Sequence, residues 1–350
     1  MDPITQAALG AAAGHALFHR QLGMRAIALG AVAGAIPDID AFWGAFEGPF
    51  GRLVSHRGIT HSLFFGPVVG SAAGWLWWRR LRGHSASTDD IPDVRYWIGL
   101  FVVALMSHPL LDWFTTFGTQ LLTPFSRARF AIDAIPIVDP IYTGVLAIGL
   151  LLAYRFRDAP FAGRFTGAAV FASTAYLFVG LWINGIAALE AGQQLRADGI
   201  VGAEVHTFPT MLQLPHRRVV AITDSEIRVG FVSMWRPCRI EWGVAPRLRD
   251  KRIDAVLATR EGRIYEWFAN GLLAAEIVEE GDGARVRLVD LRYGFVPDPL
   301  RGLWGIDTRL DASGAIIGAP ERFSDRPDVN GAAISGLFKA AFPASCEAPT

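Results

Sequence analysis

A mainly α fold is expected for this chain, with a polytopic helical membrane domain over residues 1–190 and a soluble α+β domain over 200–350. Three observations predict it. Apolar residues make up 51% of the sequence and charged residues only 19%, below the roughly 25% usual for soluble proteins. The averages conceal a split: up to about residue 190 the chain is rich in Ala, Gly, Leu, Phe and Trp and sparsely charged, and beyond about 200 it reads as an ordinary soluble sequence. Several segments of the first part are also long and apolar enough to cross a bilayer, which takes about 20 residues as a helix.

Ile4 to Leu17 and Ala26 to Ile36 come first, each short of a full span. Gly10 and Gly14, then Gly30 and Gly34, are spaced by four, which lets two helices approach closely within a membrane; a half-embedded hairpin is predicted, with His19, Arg20 and Arg25 at its turn. Ile59 to Trp78 carries no Asp, Glu, Lys or Arg and ends in Trp75, Trp77 and Trp78, followed by Arg79, Arg80 and Arg82. That is a spanning helix with an aromatic belt and a basic flank. Tyr96 to Phe117 is the next, Ala134 to Tyr154 the third, and Thr166 to Leu189, without a charged residue, the fourth.

Arginines collect in the loops 79–95 and 155–165, and positively charged loops stay cytoplasmic. The region after 190 is therefore expected outside the cytoplasm. The N-terminus lacks the basic region of a cleaved signal peptide. Acidic and basic residues balance at 33 each, so no basic surface points to nucleic acid. Cys238 and Cys346 are too few for a disulfide framework or a zinc ribbon; one bridge between them is open.

Beyond residue 200, strands are predicted at Arg217–Ile222, Glu226–Phe231, Arg239–Trp242, Arg285–Leu291 and Leu303–Leu310 from β-branched or alternating residues. Short helices are predicted at Lys251–Ala258 and Arg263–Leu273. This half shows no ligand-spaced cluster and no phosphate-binding glycine loop.

Chemistry concentrates in three motifs of the first half. His108 and Asp112 are four apart on a helix and share a face; both could hold one cation, or Asp112 could accept from a ligand histidine. Ionisable residues within an apolar helix are functional candidates by default. Asp38 and Asp40 follow Pro37 and can converge on a cation where the chain turns, or cap the next helix. His56 and His61 bracket Arg57-Gly58-Ile59-Thr60, with Arg57 able to contact an anionic oxygen. By the arginine topology, Asp38, Asp40, His56, His61, His108 and Asp112 all fall on the outer side. Asp139 is a further candidate ligand or general base, and Arg127 and Arg129 could meet phosphate or lipid headgroups.

The motifs P-D-I-D at 37–40, H-R-G-I-T-H-S at 56–62 and H-x-L-x-D at 108–112 resemble those of the LexA-regulated, membrane-bound metal-dependent hydrolase family (YdjM-like). D-P-I-T-Q-A-A-L-G at 2–10, T-P-F-S at 123–126 and I-V-D-P at 137–140 extend the likeness over roughly the first 145 residues. Arg217-Arg218-Val219-Val220 and Asp290-Leu291-Arg292-Tyr293-Gly294 resemble the extension of the longer members. The resemblance implies a multi-pass protein of the bacterial inner membrane that binds a divalent metal through these His and Asp residues and hydrolyses a substrate. Many relatives have His where this chain has Gln6, and longer ones Glu where it has His15, so His15 joins the candidate ligands although the topology sets it near the cytoplasmic turn.

The expected function is metal-dependent hydrolysis, of a phosphoester or phospholipid-type substrate at the outer face of the membrane. Imidazole and carboxylate ligands suit zinc or manganese. Asp139 or Asp40 would take a proton and Arg57 would contact the substrate anion. The alternatives are a non-catalytic metal-binding or transport protein, and an outer binding module on a membrane anchor.

Overall fold

The computed structural model describes residues 1–84, 90–294, 298–325 and 331–346; residues 85–89 of the basic loop 79–95 lie outside the described residues. Helix is 51% and strand 19% of the chain, so the expectation of a mainly α protein holds only for the first part. The chain divides into two units. The first comprises Met1–Phe46 and Ser55–Val179, the second Glu47–Val54 and Gly180–Thr350.

The first unit opens with helices α1 (Pro3–Leu22) and α2 (Arg25–Ala35). Asp2 caps α1 by accepting from the Thr5 N–H, and Pro3 occupies the first helical position, where its missing N–H costs nothing. The glycine spacing does what it predicts. A Cβ on Gly10 would lie 2.4 Å from the Gly30 carbonyl oxygen, and one on Gly34 2.6 Å from that of Gln6, so the two helices cross backbone to backbone. A 3₁₀ turn (Ile36–Ile39), enforced by Pro37, leads into α3 (Asp40–Phe46). Helix α4 (Gly48–Ser55) belongs mostly to the second unit.

The predicted span from Ile59 is corrected. Ile59–His61 is a 3₁₀ turn, Ser62 is extended, and α5 runs Phe65–His84, because Thr60 and His61 bond to Asp40 rather than continuing a helix. Its Gly66, Gly70 and Gly74 lie against Met106, Val102 and Ile98 of α6 (Val94–Trp113), a second small-residue seam that the sequence reading passed over. Helix α7 (Pro140–Arg155) starts at Pro140 and not at Ala134, since Asp139 caps it through the Ile141 and Tyr142 N–H groups. Helix α8 (Ala162–Ala197) is continuous. It contains the whole predicted span 166–189, and its residues from Gly180 on belong to the second unit, where Ala187 and Ala191 pack with Val219, Val232 and Ile240.

By length and composition three described helical segments could cross a membrane: Arg25–Gly44, Val94–Trp113 and Ala162–Ala197; Pro140–Arg155 is apolar but shorter.

The second unit holds two four-stranded antiparallel sheets, each a simple meander. The first is β1 (Glu204–Pro209), β2 (His216–Ile222), β3 (Glu226–Ser233) and β4 (Gly243–Pro246). Helices α9 (Lys251–Leu257) and α10 (Arg260–Phe268) follow, and the second sheet is β5 (Leu273–Glu280), β6 (Gly283–Asp290), β7 (Trp304–Leu310) and β8 (Ile316–Ser324), before α11 (Gly331–Ala341). Arg239–Trp242 is not a strand; pairing begins at Gly243. Helix α10 starts earlier than predicted, because Thr259 caps it, and ends before Leu273, which opens β5. Buried Arg218 of β2 reaches the carbonyls of Leu291 and Pro299, and Asp290 and Arg292, both buried, pair at 2.7 Å. Cys238 and Cys346 form a disulfide.

Candidate metal centre

Three separate pieces of the first unit deliver four donor groups to one point. The 3₁₀ turn after α2 presents Asp38, the turn at 59–61 presents His61, and successive turns of α6 present His108 and Asp112. Asp38, His61 and His108 each offer one ligand atom, all within 4.8 Å of one another. Asp38 Oδ1 lies 3.6 Å from His61 Nε2 and 3.5 Å from His108 Nε2. Asp112 Oδ2 closes the other side at 3.4 and 3.7 Å from the same two nitrogens. Both histidines and Asp112 are fully buried, and Asp38 is partly so.

Hydrogen bonding assigns the protons. His108 Nδ1 donates to the Gly34 carbonyl at 2.6 Å. His61 Nδ1 faces Asp40 Oδ2 at 3.1 Å and Thr60 Oγ1 at 3.0 Å, and Thr60 donates its own proton to Asp40. Each ring therefore carries a proton on Nδ1 and turns Nε2 towards carboxylate oxygens. Among the described residues, His61 Nε2 and His108 Nε2 are buried without a hydrogen-bond partner, as is Asp38 Oδ2, the oxygen other than the one facing the rings, while Asp112 Oδ2 has the Arg57 guanidinium beside it. Unsatisfied buried polar atoms cost about 1–3 kcal/mol each, so the two imidazole nitrogens between the carboxylates call for a positive centre there. Atoms about 2.0–2.2 Å from a tetrahedral metal sit about 3.3–3.6 Å apart, close to the four separations found. The donor set fits a divalent metal ion.

Around these donors lies a ring of supports. Asp40 accepts from His56 Nδ1 (2.7 Å), the Arg57 N–H (3.0 Å) and Thr60 Oγ1 (2.7 Å) besides facing His61. It stands behind His61, on the side away from Asp38 and Asp112. His56 is held by Asp40, partly exposed, with its ring 5.9 Å from that of His61, and it is not one of the three grouped ligands. Arg57 has left-handed backbone, φ 59°, which a non-glycine residue adopts only when its surroundings impose it. Its side chain turns inward: Nε is 3.0 Å from Asp112 Oδ2, Nη1 donates to Thr115 Oγ1 at 2.8 Å, and the guanidinium lies 4.7 Å from the Phe117 ring centre. Asp112 Oδ1 accepts from the Gln6 side-chain amide at 2.9 Å and also lies against the Met1 amino group.

Two candidates stand elsewhere. Asp139 caps α7, and its other oxygen accepts from Tyr176 Oη at 3.1 Å. His15 bonds Thr166 Oγ1 at 3.0 Å and packs against His19. Arg129 donates to the carbonyls of Phe117 and Gly118 and is buried, so neither it nor Arg57 is turned outward as an anion clamp. The sequence marks Thr60 as a support beside His61, which its bond to Asp40 bears out, but not Thr115 and Phe117 as the seat of Arg57, nor the Gly34 carbonyl as the acceptor for His108. These last carry no signal in the chain.

The model of the YdjM inner membrane protein family matches residues 1–187, the stretch that contains every residue of this centre. Inner membrane protein YbcI of Escherichia coli (strain K12) is 33% identical over 129 residues, 36% of this chain and 69% of that protein. No solved structure matches the chain.

Proposed function

The chain belongs to the YdjM inner membrane protein family, and from that premise we propose that it is a metal-dependent hydrolase of the bacterial inner membrane acting on a lipid-type ester or phosphoester. One observation carries the reading. Two buried imidazoles, each with a proton fixed on Nδ1, turn Nε2 towards two carboxylates. A single proton on His61 would relieve one ring and leave His108 Nε2 facing oxygens at 3.5 and 3.7 Å; one divalent cation serves all four groups. Imidazole with carboxylate favours zinc or manganese over calcium or magnesium.

When bound, such an ion supplies Lewis acidity and the means to activate water near neutral pH. The protein groups divide the remaining work. Asp38, His61, His108 and Asp112 hold the ion. Asp40 fixes the His61 ring through Nδ1, and Arg57 balances Asp112. His56 donates Nδ1–H to Asp40 and is partly exposed, which leaves Nε2 to accept a proton. The geometry favours it for that role over Asp40 and Asp139, whose oxygens already accept several donors each.

The lipid-type substrate is supported by apolar residues near the ligands in the chain. Ile39, Phe42, Trp43, Ile59, Phe64 and Leu110 are all exposed and apolar, as a site facing the bilayer requires. An extracytoplasmic position for residues 200–350 is supported by the arginine-rich loops and by the Cys238–Cys346 disulfide, since disulfides persist in oxidising compartments.

The test is metal analysis of the purified full-length protein, followed by assay of the loaded form on phospholipid and phosphoester substrates. About one tightly bound transition metal per chain, lost in His61→Ala and His108→Ala together with turnover, is the expected result. Metal retained without turnover on any substrate would leave a non-catalytic metal-binding protein. Absence of metal would remove the reading altogether.

A further inference from the structure

We propose that His15 and His19 of α1 form a second, weaker binding site for a divalent transition-metal ion, separate from the centre at Asp38, His61 and His108. The two histidines are four apart and share a helix face, the spacing at which two imidazoles can chelate one ion. Their rings are 4.6 Å apart between centres. His15 is fully buried.

The proton of His15 is fixed. Thr166 Oγ1 donates to the Gly163 carbonyl at 3.0 Å, so it accepts from His15 Nδ1, also at 3.0 Å. His15 Nε2 is then a bare lone pair. It is buried and has no hydrogen-bond partner among the described residues, and the same holds for Nδ1 of His19. With its proton on Nε2, His19 turns a second acceptor nitrogen to the same face as His15 Nε2, and a cation between the two would satisfy both. Gly163 makes room for the pair, since a Cβ there would sit 3.1 Å from His19 Cβ. His19 is only half-buried, so an ion can enter from its side and water can complete the coordination. Two protein ligands make a weaker and more exchangeable site than the four-donor centre.

The separation along α1 makes the two sites independent. Gln6 touches Asp112 at the centre, and His15 lies nine residues further on, roughly 13 Å at 1.5 Å per residue.

The experiment is equilibrium dialysis of the full-length protein in detergent against graded Zn²⁺, with bound zinc counted by elemental analysis. Two classes of zinc are expected. His19→Ala and His15→Gln should each abolish the weaker class, or raise the zinc needed to fill it by about tenfold or more, and leave the tighter class. His61→Ala should do the reverse. Zinc binding unchanged by both His15→Gln and His19→Ala, or no weaker class in the wild type, overturns the proposal. If the buried His15→Gln variant does not fold, His19→Ala decides alone. Loss of the weaker class in the His19 variant, with no effect of His61→Ala, would sink the reading of the main centre and leave this one standing.

Discussion

Replacing Asp40 by asparagine tests whether the ring of supports sets metal affinity. The carboxylate faces four donors: His56 Nδ1 at 2.7 Å, the Arg57 N–H at 3.0 Å, Thr60 Oγ1 at 2.7 Å and His61 Nδ1 at 3.1 Å. A carboxylate has about four lone-pair sites, whereas an amide offers one oxygen with two and presents N–H donors on the other side. Asp40→Asn is nearly isosteric, so the fold has no reason to change, yet at most two donors keep an acceptor. His61 then loses the bond that fixes its tautomer and ring angle. Loss of such an outer partner typically costs 10–100-fold in metal affinity, or about 1.4–2.7 kcal/mol. The assay is competition for zinc against chelators of graded affinity, with Asp40→Asn, His61→Ala and wild type compared at one pH. Asp40→Asn should fall between the other two. Affinity within twofold of wild type in a folded Asp40→Asn protein would refute the claim that Asp40 acts through His61.

Three further outcomes follow from other contacts. Gly34→Leu should separate α1 from α2, because a Cβ there would meet the Gln6 carbonyl at 2.6 Å; overpacking of about 1–3 kcal/mol or more should appear as a lowered melting temperature in detergent, and wild-type melting would contradict the close crossing. His216 is buried at 3% exposure, and burial lowers its pKa to about 4 from 6.5. The unfolded chain binds the proton first as pH falls, so stability is full above about pH 6.5, declines towards pH 4 and levels off below. At about 1.4 kcal/mol per pH unit the loss is up to about 3 kcal/mol, and urea titrations of wild type and His216→Phe should differ in slope over that window. Cys346→Ser opens a bridge between residues 108 apart and should cost the second unit about 2–5 kcal/mol, read as a shift of its denaturant midpoint.

What the sequence made legible was periodic or chemical. The four-residue glycine spacing of α1 and α2 foretold their crossing, and His108 with Asp112 foretold two groups on one face. Asp38, His61, His108 and Asp112 do converge, although they come from three distant stretches. What it concealed depends on partners that only folding brings together. Arg57 looked like an anion contact because an arginine between two histidines carries no mark of its left-handed backbone or of Asp112 and Phe117 waiting inside. Ile59–Trp78 looked like one unbroken span because hydropathy does not register that Thr60 and His61 bond to Asp40. Strands β1, β5 and β8 were missed because edge strands with mixed exposure, such as Leu273–Glu280, carry neither a clean alternation nor a fully apolar run.

Gly34 joins the packing of the helices to the chemistry of the centre. Lacking a side chain, it lets α1 lie directly on α2, and that approach brings Gln6 of α1 within 2.9 Å of Asp112. The same residue offers its carbonyl to His108 Nδ1 at 2.6 Å, which fixes the tautomer that turns Nε2 towards Asp38. A helix C-terminus has carbonyls without intrahelical partners, and α2 ends at Ala35, so the Gly34 oxygen is free to take this role. Here the seam that allows two helices to pack inside an apolar medium also orients a histidine of the candidate metal centre. The family's matched region, residues 1–187, thus holds seam and centre as one construction: any change that widens the crossing of α1 and α2 should disturb His108 and Asp112 together.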